Sequence, residues 1–130
     1  MMADLLRQGA AWLDGQRHTH LTQLVSYQRG ADSVELAATT GRTEFEQADE
    51  YGVLHRIESR DYIIRTADLQ IAGETVLPKA GDQIRETDGA VTHVYEVMAP
   101  GGEPPSRFSD PYRVALRIHT KHVKTETDGP

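Results

Sequence analysis

The stretch LPKAGDQIRETDG, Leu77 to Gly89, brings a proline, two glycines and an Asp-Gly pair together around a short mixed run. Proline fixes φ for the first corner of a tight turn and glycine tolerates its exit, so Pro78-Lys79-Ala80-Gly81 is expected to be a β-turn feeding a strand at Asp82. Asp88-Gly89 is expected to form a two-residue hairpin turn with positive φ at both positions. Folding about that pair sets Ile84 opposite His93 and Glu86 opposite Val91. One face then carries Ile84, Val91, His93, Tyr95 and Val97, and the apolar alternation agrees with the register drawn from the turn. A phosphate cradle is disfavoured: such a loop needs a longer glycine-rich stretch ending in Lys-Ser/Thr before a helix, and Asp82 would repel phosphate. The punctuation marks corners of a sheet.

Working outward, Ala99-Pro100-Gly101-Gly102-Glu103-Pro104-Pro105 reads as a long exposed connection, because its prolines cannot feed a central ladder. It is either a tolerated insertion or a contact arm, with Gly101, Gly102, Pro104 and Pro105 as candidate contact residues. It leads into Tyr112 to His119, where Val114, Leu116 and Ile118 alternate with Arg113, Arg117, His119 and, beyond, Lys121, the pattern of a strand with a basic outer edge. Upstream, Leu24 to Tyr27 ends at Arg29-Gly30, Ser33 to Ala37 ends in Thr39-Thr40-Gly41, and Gly52 to Ile57 leads towards Asp61 to Ile64. These are short β-favouring runs bounded by turn residues. Residues about 4–23 show helical spacing instead, from a possible cap at Asp4 through Leu5, Leu6, Trp12 and Leu13. Trp12 is expected in the core, with a partner anchor as the sharper reading. The fold expected is mainly β: a small antiparallel β-barrel or meander over about 24–123, with an N-terminal α-helix, long loops and a loose tail over 124–130. The intervals are too short for the crossover helices of a parallel sheet.

The 130 residues favour a single domain spanning 1–130. Without cysteine, disulfides, thiolate metal sites and a cysteine nucleophile are excluded. No apolar run approaches the roughly 18 residues of a membrane span, and Met1 to Ala11 lacks the pattern of a secretion signal, so the chain is expected to stay where it is made. A net charge of −6 argues against general nucleic-acid binding. The charge is uneven, however. Asp32 to Glu50 carries six acids against Arg42 alone, whereas Arg113 to Lys124 carries four basic residues and no acid. Two solvated surfaces would account for this; the sharper reading is head-to-tail complementarity between copies, with Glu44, Glu46, Asp49 and Glu50 facing Arg113, Arg117 and Lys121.

Catalytic and metal chemistry find little support. His18 and His20 would face apart on a helix, and His119 and His122 point to opposite faces of a strand, so neither pair is a ready-made ligand set. His55 and His93 lie in apolar runs and suit hydrogen-bonded structural roles. Glu44 to Glu50 lacks the alternation and central glycine of a calcium loop and reads as a solvated loop. No serine sits in a nucleophile elbow. No catalytic residue, metal ligand or cofactor is assigned.

Tyr62-Ile63-Ile64 with Ala67-Asp68-Leu69, then Leu77 to Ile84, the Asp88-Gly89 hairpin, Val94-Tyr95-Glu96-Val97 and Leu116 to Lys121 form an ordered series. In this the chain resembles the small head-to-tail joining (head-closure) proteins of tailed bacteriophages, over roughly Tyr51 to Val123. The resemblance implies a non-catalytic virion protein, assembled in the host cytoplasm as a homo-oligomeric ring in the neck, between portal or adaptor and tail proteins. DNA would pass through the ring without specific binding, which an acidic total suits. The Pro/Gly loop would dock a neighbour or plug the bore. The alternatives are a free-standing barrel that binds oligosaccharide or single-stranded nucleic acid, which the few aromatics disfavour, and a metal-dependent hydrolase using His18 or His20.

Overall fold

A computed structural model describes residues 22–127. Nine strands follow in chain order: β1 (Gln23–Arg29), β2 (Asp32–Ala48), β3 (Leu54–Arg65), β4 (Gln70–Ile71), β5 (Glu74–Thr75), β6 (Gln83–Asp88), β7 (Val91–Val97), β8 (Ser106–Phe108) and β9 (Ala115–Thr127). The main sheet has the order β3-β2-β1-β6-β7-β9-β8, and β3 also pairs with β9. All its pairings are antiparallel. The hydrogen-bonded path from β3 through β2, β1, β6 and β7 to β9 therefore returns to β3. β4 and β5 form a separate small hairpin. The expected helix, with Trp12, His18 and His20, lies outside the described residues, although Gln23, its expected end, already opens a strand.

The circuit of strands encloses one apolar cluster. Val25 and Tyr27 of β1, Leu36 and Ala38 of β2, Tyr62 and Ile64 of β3, Ile84 of β6, Val97 of β7 and Leu116 and Ile118 of β9 all contribute. In β1, β2, β3 and β9, which contribute two each, they occur at every second position, so alternation in the sequence becomes the inner face of the sheet. Leu69 and Ile71, delivered by the 3-10 turn Thr66–Asp68 and β4, join the same cluster. Burying each large apolar side chain stabilises by roughly 1.5–3 kcal/mol, enough in sum to hold a sheet with no disulfide.

Several local expectations are corrected. The β6–β7 pairing sets Ile84 opposite Tyr95 and Asp88 opposite Val91, so the turn residues are Gly89 and Ala90. Gly89 has φ 63, while Ala90 is not among the residues with positive φ. A turn with glycine first and a Cβ-bearing residue second needs one positive φ, not the two an Asp-Gly turn demands. The register differs from the expected one by two residues, which leaves every side chain on its expected face. The preceding turn also sits one residue later: Asp82 N–H donates to the Lys79 carbonyl at 3.0 Å, and Gly81 takes the third position with φ 99. Pro78 is buried before the turn. At the C-terminal end, β9 continues through Lys124–Thr127, paired with β7 from Val94 back to Val91, so residues 124–127 form no loose tail.

Thr39-Thr40-Gly41 ends no strand. β2 runs straight through it to Ala48, and Glu44 to Ala48, expected as loop, pair with Leu54 to Glu58 of β3. The glycine serves another purpose here. A Cβ on Gly41 would lie 3.3 Å from the guanidinium of Arg117, so the missing side chain makes room for a cation against the strand.

Candidate functional site

The surface feature that the topology creates is a projecting hairpin. β1 pairs with β2 only as far as Ala38, and β9 pairs with β3 only as far as Arg60. Beyond those points Thr43–Ala48 and Leu54–Ser59 pair with each other, an arm whose six β2 residues span about 20 Å at strand rise. Asp49 closes its tip: the Asp49 carboxylate accepts from the Tyr51 and Val53 amides at 2.8 and 2.9 Å and contacts His55 Nε2 at 2.8 Å. The His55 hydrogen bond and the backbone donors hold the Asp49 carboxyl below its ordinary range. His55 thus has the hydrogen-bonded structural role expected of it, at an exposed position on the tip. Tyr51 is 83% exposed, with Val53 and Leu54 exposed beside it.

A buried polar cluster anchors the arm's root. Asp61 of β3 is fully buried. Its Oδ1 accepts from Ser59 Oγ at 2.5 Å and from His119 Nδ1 at 2.9 Å, and its Oδ2 accepts from Arg117 Nη1 at 2.7 Å and from the Thr43 hydroxyl. Burial by itself would raise the Asp61 pKa; the hydrogen bonds from His119, Ser59, Thr43 and Arg117 outweigh it and hold the carboxyl well below the usual range. The edge of the Phe45 ring meets the His119 ring, centroids 5.0 Å apart, which seals the cluster from the arm side. β2, β3 and β9 are thereby tied together where the arm leaves the sheet.

The same geometry does not set up Ser59 as a nucleophile activated by His119 Nδ1. An ionised carboxylate only accepts, so His119 Nδ1 and the Ser59 hydroxyl both direct their protons at Asp61 Oδ1. Ser59 Oγ lies 3.5 Å from the nitrogen that already carries the donated proton, so that nitrogen cannot take the serine's. Among the described residues no group of histidine and carboxylate side chains is placed to hold a metal ion. His119 is buried and His122 exposed, on opposite faces as their spacing predicts.

A second buried carboxylate, Asp82, fixes the turn that leads into β6. Asp82 accepts from the Tyr27 hydroxyl, from Arg29 Nη2 at 2.8 Å and from the Lys79 amide at 3.0 Å. Burial, and next the hydrogen bond to Asp82, raise the Tyr27 pKa, so the phenol stays protonated and donates. The turn Lys79 to Asp82 is therefore held by its own aspartate against β1.

The proposed contact residues fall into distinct places. Glu44 and Glu46 lie exposed on the arm, and Asp49 and Glu50 at its tip. Arg117 and His119 lie on the sheet face away from the core, as their alternation with Leu116 and Ile118 predicts, but Asp61 pairs with both there, so Arg117 is half-buried and His119 buried rather than free at an outer edge. Arg113 precedes β9, exposed, with its guanidinium 5.3 Å from the Phe108 ring centroid. Lys121 is exposed beside the root. The Pro/Gly connection is exposed at Gly101, Gly102 and Pro104 but not detached: Pro100 is buried, the His119 amide donates to the Pro105 carbonyl at 2.9 Å, and a Cβ on Gly101 would lie 3.1 Å from the Glu46 carbonyl oxygen. The arm and the Asp61 cluster escaped the sequence reading. Their available signal was the unbroken β pattern across Gly41 and the alternation of Gly41, Thr43 and Phe45 with the charged Arg42, Glu44 and Glu46.

A mainly antiparallel β scaffold that projects a braced hairpin is a protein built to present surface. The chain belongs to the phage head-tail joining protein family, whose sequence profile matches residues 3–127. No curated protein sequence matches it. Family membership makes it a structural component of the phage virion, associating with other virion proteins at the head-tail junction, and the match extends well beyond the stretch on which the resemblance was read. Among the described residues no helix is long and apolar enough to cross a membrane.

Proposed function

We propose that this protein is a single-domain neck component that assembles as a homo-oligomeric ring between the portal or its adaptor and the tail, with DNA passing through the bore. The observation that carries this reading is the braced arm. A hairpin that leaves its own sheet, exposes apolar side chains at its tip and is locked at its root by a buried carboxylate is suited to engage a different surface on a neighbour. Patch-to-different-patch contacts between identical chains generate rings when the rotation closes. The return of the strand path through the β3–β9 pairing supports reading the sheet as a small barrel, a rigid body from which such arms can project. The Gly101–Pro105 connection, beside the arm, is a second contact surface for the adjoining virion proteins. The net charge of −6 favours passage of DNA over its retention.

The binding-module alternative is disfavoured by where the aromatics lie: Tyr27 and Tyr62 are in the core, which removes them from any stacking platform. The test is complementation. Phage lacking this gene are expected to yield DNA-filled heads and separate tails, and adding the purified protein is expected to join them. Normal virions without the gene would contradict the proposal, as would heads and tails that stay apart after the protein is added.

A further inference from the structure

The arm tip and a cleft at the arm root carry complementary unsatisfied groups. At the tip, Tyr51, Val53 and Leu54 are large apolar residues exposed within four positions. Glu46 and Glu50 have no ion-pair partner among the described residues, whereas Asp49 is occupied in closing the turn. At the root, β3 and β9 pair as far as Arg60 and Thr120 and then part. The Thr120 hydroxyl donates to the Arg60 carbonyl at 2.6 Å and caps the ladder there. The parting strands open a cleft of about 510 Å³ lined by Arg42, Glu58, Arg60, Tyr95, Lys121 and His122. Arg42 faces Glu58 at 3.6 Å and Arg60 pairs with Glu86 at 2.9 Å, but Lys121 has no ion-pair partner among the described residues. Tyr95 and His122, ring centroids 5.3 Å apart, give the cleft an aromatic wall.

We propose that residues Glu50 to Leu54 of one copy dock in the cleft between β3 and β9 of the next copy, with Glu50 opposite Lys121 and Tyr51 against Tyr95 and His122. The occupant must be another copy of this chain's tip, not its own. The cleft is built on the arm's root and the tip lies about 20 Å further along the same paired strands, so no fold of a braced arm brings them together. The contact joins two different patches and therefore propagates from copy to copy. Aromatic packing supplies the anchor and the charge pair sets orientation. This rests on the ring reading above and specifies its junction.

Because the chain contains no cysteine, the contact can be trapped directly. Full-length protein carrying Tyr51→Cys together with His122→Cys is oxidised and run under non-reducing conditions beside each single variant. The double variant is expected to give a ladder of covalent oligomers that reductant collapses, and each single variant no species beyond a dimer. Wild-type rings seen by native mass spectrometry without a ladder from the double variant would overturn this docking and leave the ring standing. A wild-type chain that stays monomeric, with no ladder, would overturn both. Independently, Glu50→Lys and Lys121→Glu are each expected to weaken self-association at least about tenfold, with unchanged thermal melts. Mixing the two is expected to restore association, since both junctions then join opposite charges. Either variant associating like wild type would overturn the proposal.

Discussion

Replacing Asp61 with asparagine removes the charge on which four donors converge while keeping the side chain's shape. Arg117 and His119 lose their carboxylate, and the new amide must turn its NH2 towards one pair of donors, setting donor against donor. Breaking a buried charged pair by altering one partner costs about 3–5 kcal/mol, a large share of the 5–15 kcal/mol typical of a domain. For a chain of this size that lowers Tm by roughly 10–20 °C. The pH dependence is more diagnostic. The Asp61 pKa is depressed in the folded state, so its stabilisation is fully present above the unfolded value of about 3.9 and is lost as pH falls from there towards the folded value. The gap between the two proteins should therefore be constant from pH 7 down to about pH 5 and shrink steadily as pH falls below about 3.9 towards pH 2. Urea unfolding of both proteins at several pH values measures it. A gap under about 1 kcal/mol at pH 7, or one that stays constant down to pH 2, would refute the assignment of Asp61 as the charged keystone of the arm's root.

Three further outcomes follow from the same structure. Tyr27→Phe deletes a donor to buried Asp82 and is expected to cost about 1–3 kcal/mol in urea unfolding; no loss would mean that the hydroxyl contributes nothing to holding the turn. Gly81→Ala forces a Cβ into φ 99 and is expected to cost about 1–2 kcal/mol although nothing lies within 4 Å of the new atom, whereas a neutral result would show that the turn relaxes. Deleting Gly101 to Pro104 should lower Tm, because the connection is tethered by buried Pro100 and by the Pro105 carbonyl's bond to the His119 amide; an unchanged Tm would mark the loop as independent of the arm's root.

The apolar alternation in β1, β3 and β9 was legible because a half-buried strand writes its inner face at every second residue; in β7 it was not, since Thr92 and Val94 are buried off the expected face, beside the irregularity at Val94/Tyr95. The turns were legible to within one residue or one register step: Gly81 and Gly89 have the positive φ their sequence context demands, but which neighbour shares the turn depends on the strands paired around it. Gly41 misled, since a glycine in a β pattern signals a turn or a close approach equally well, and only the fold brings Arg117 against it. Charge misled for a related reason. Arg117 and His119 alternate in sequence like an outer face and do lie on it, but Asp61, far away in the chain, pairs with both there and takes them out of the free surface. The acidic run from Glu44 to Glu50 reads as loop by composition; pairing with β3 makes it the arm, a non-local fact that no local spacing contains.

The most direct test of the arm as the joining surface is an in vitro joining titration with Tyr51→Ala, a side chain 83% exposed whose loss should change stability by no more than about 0.5 kcal/mol. A variant that melts like wild type yet needs at least about tenfold more protein to join heads to tails is the result predicted. Joining at the wild-type concentration by that equally stable variant would contradict it.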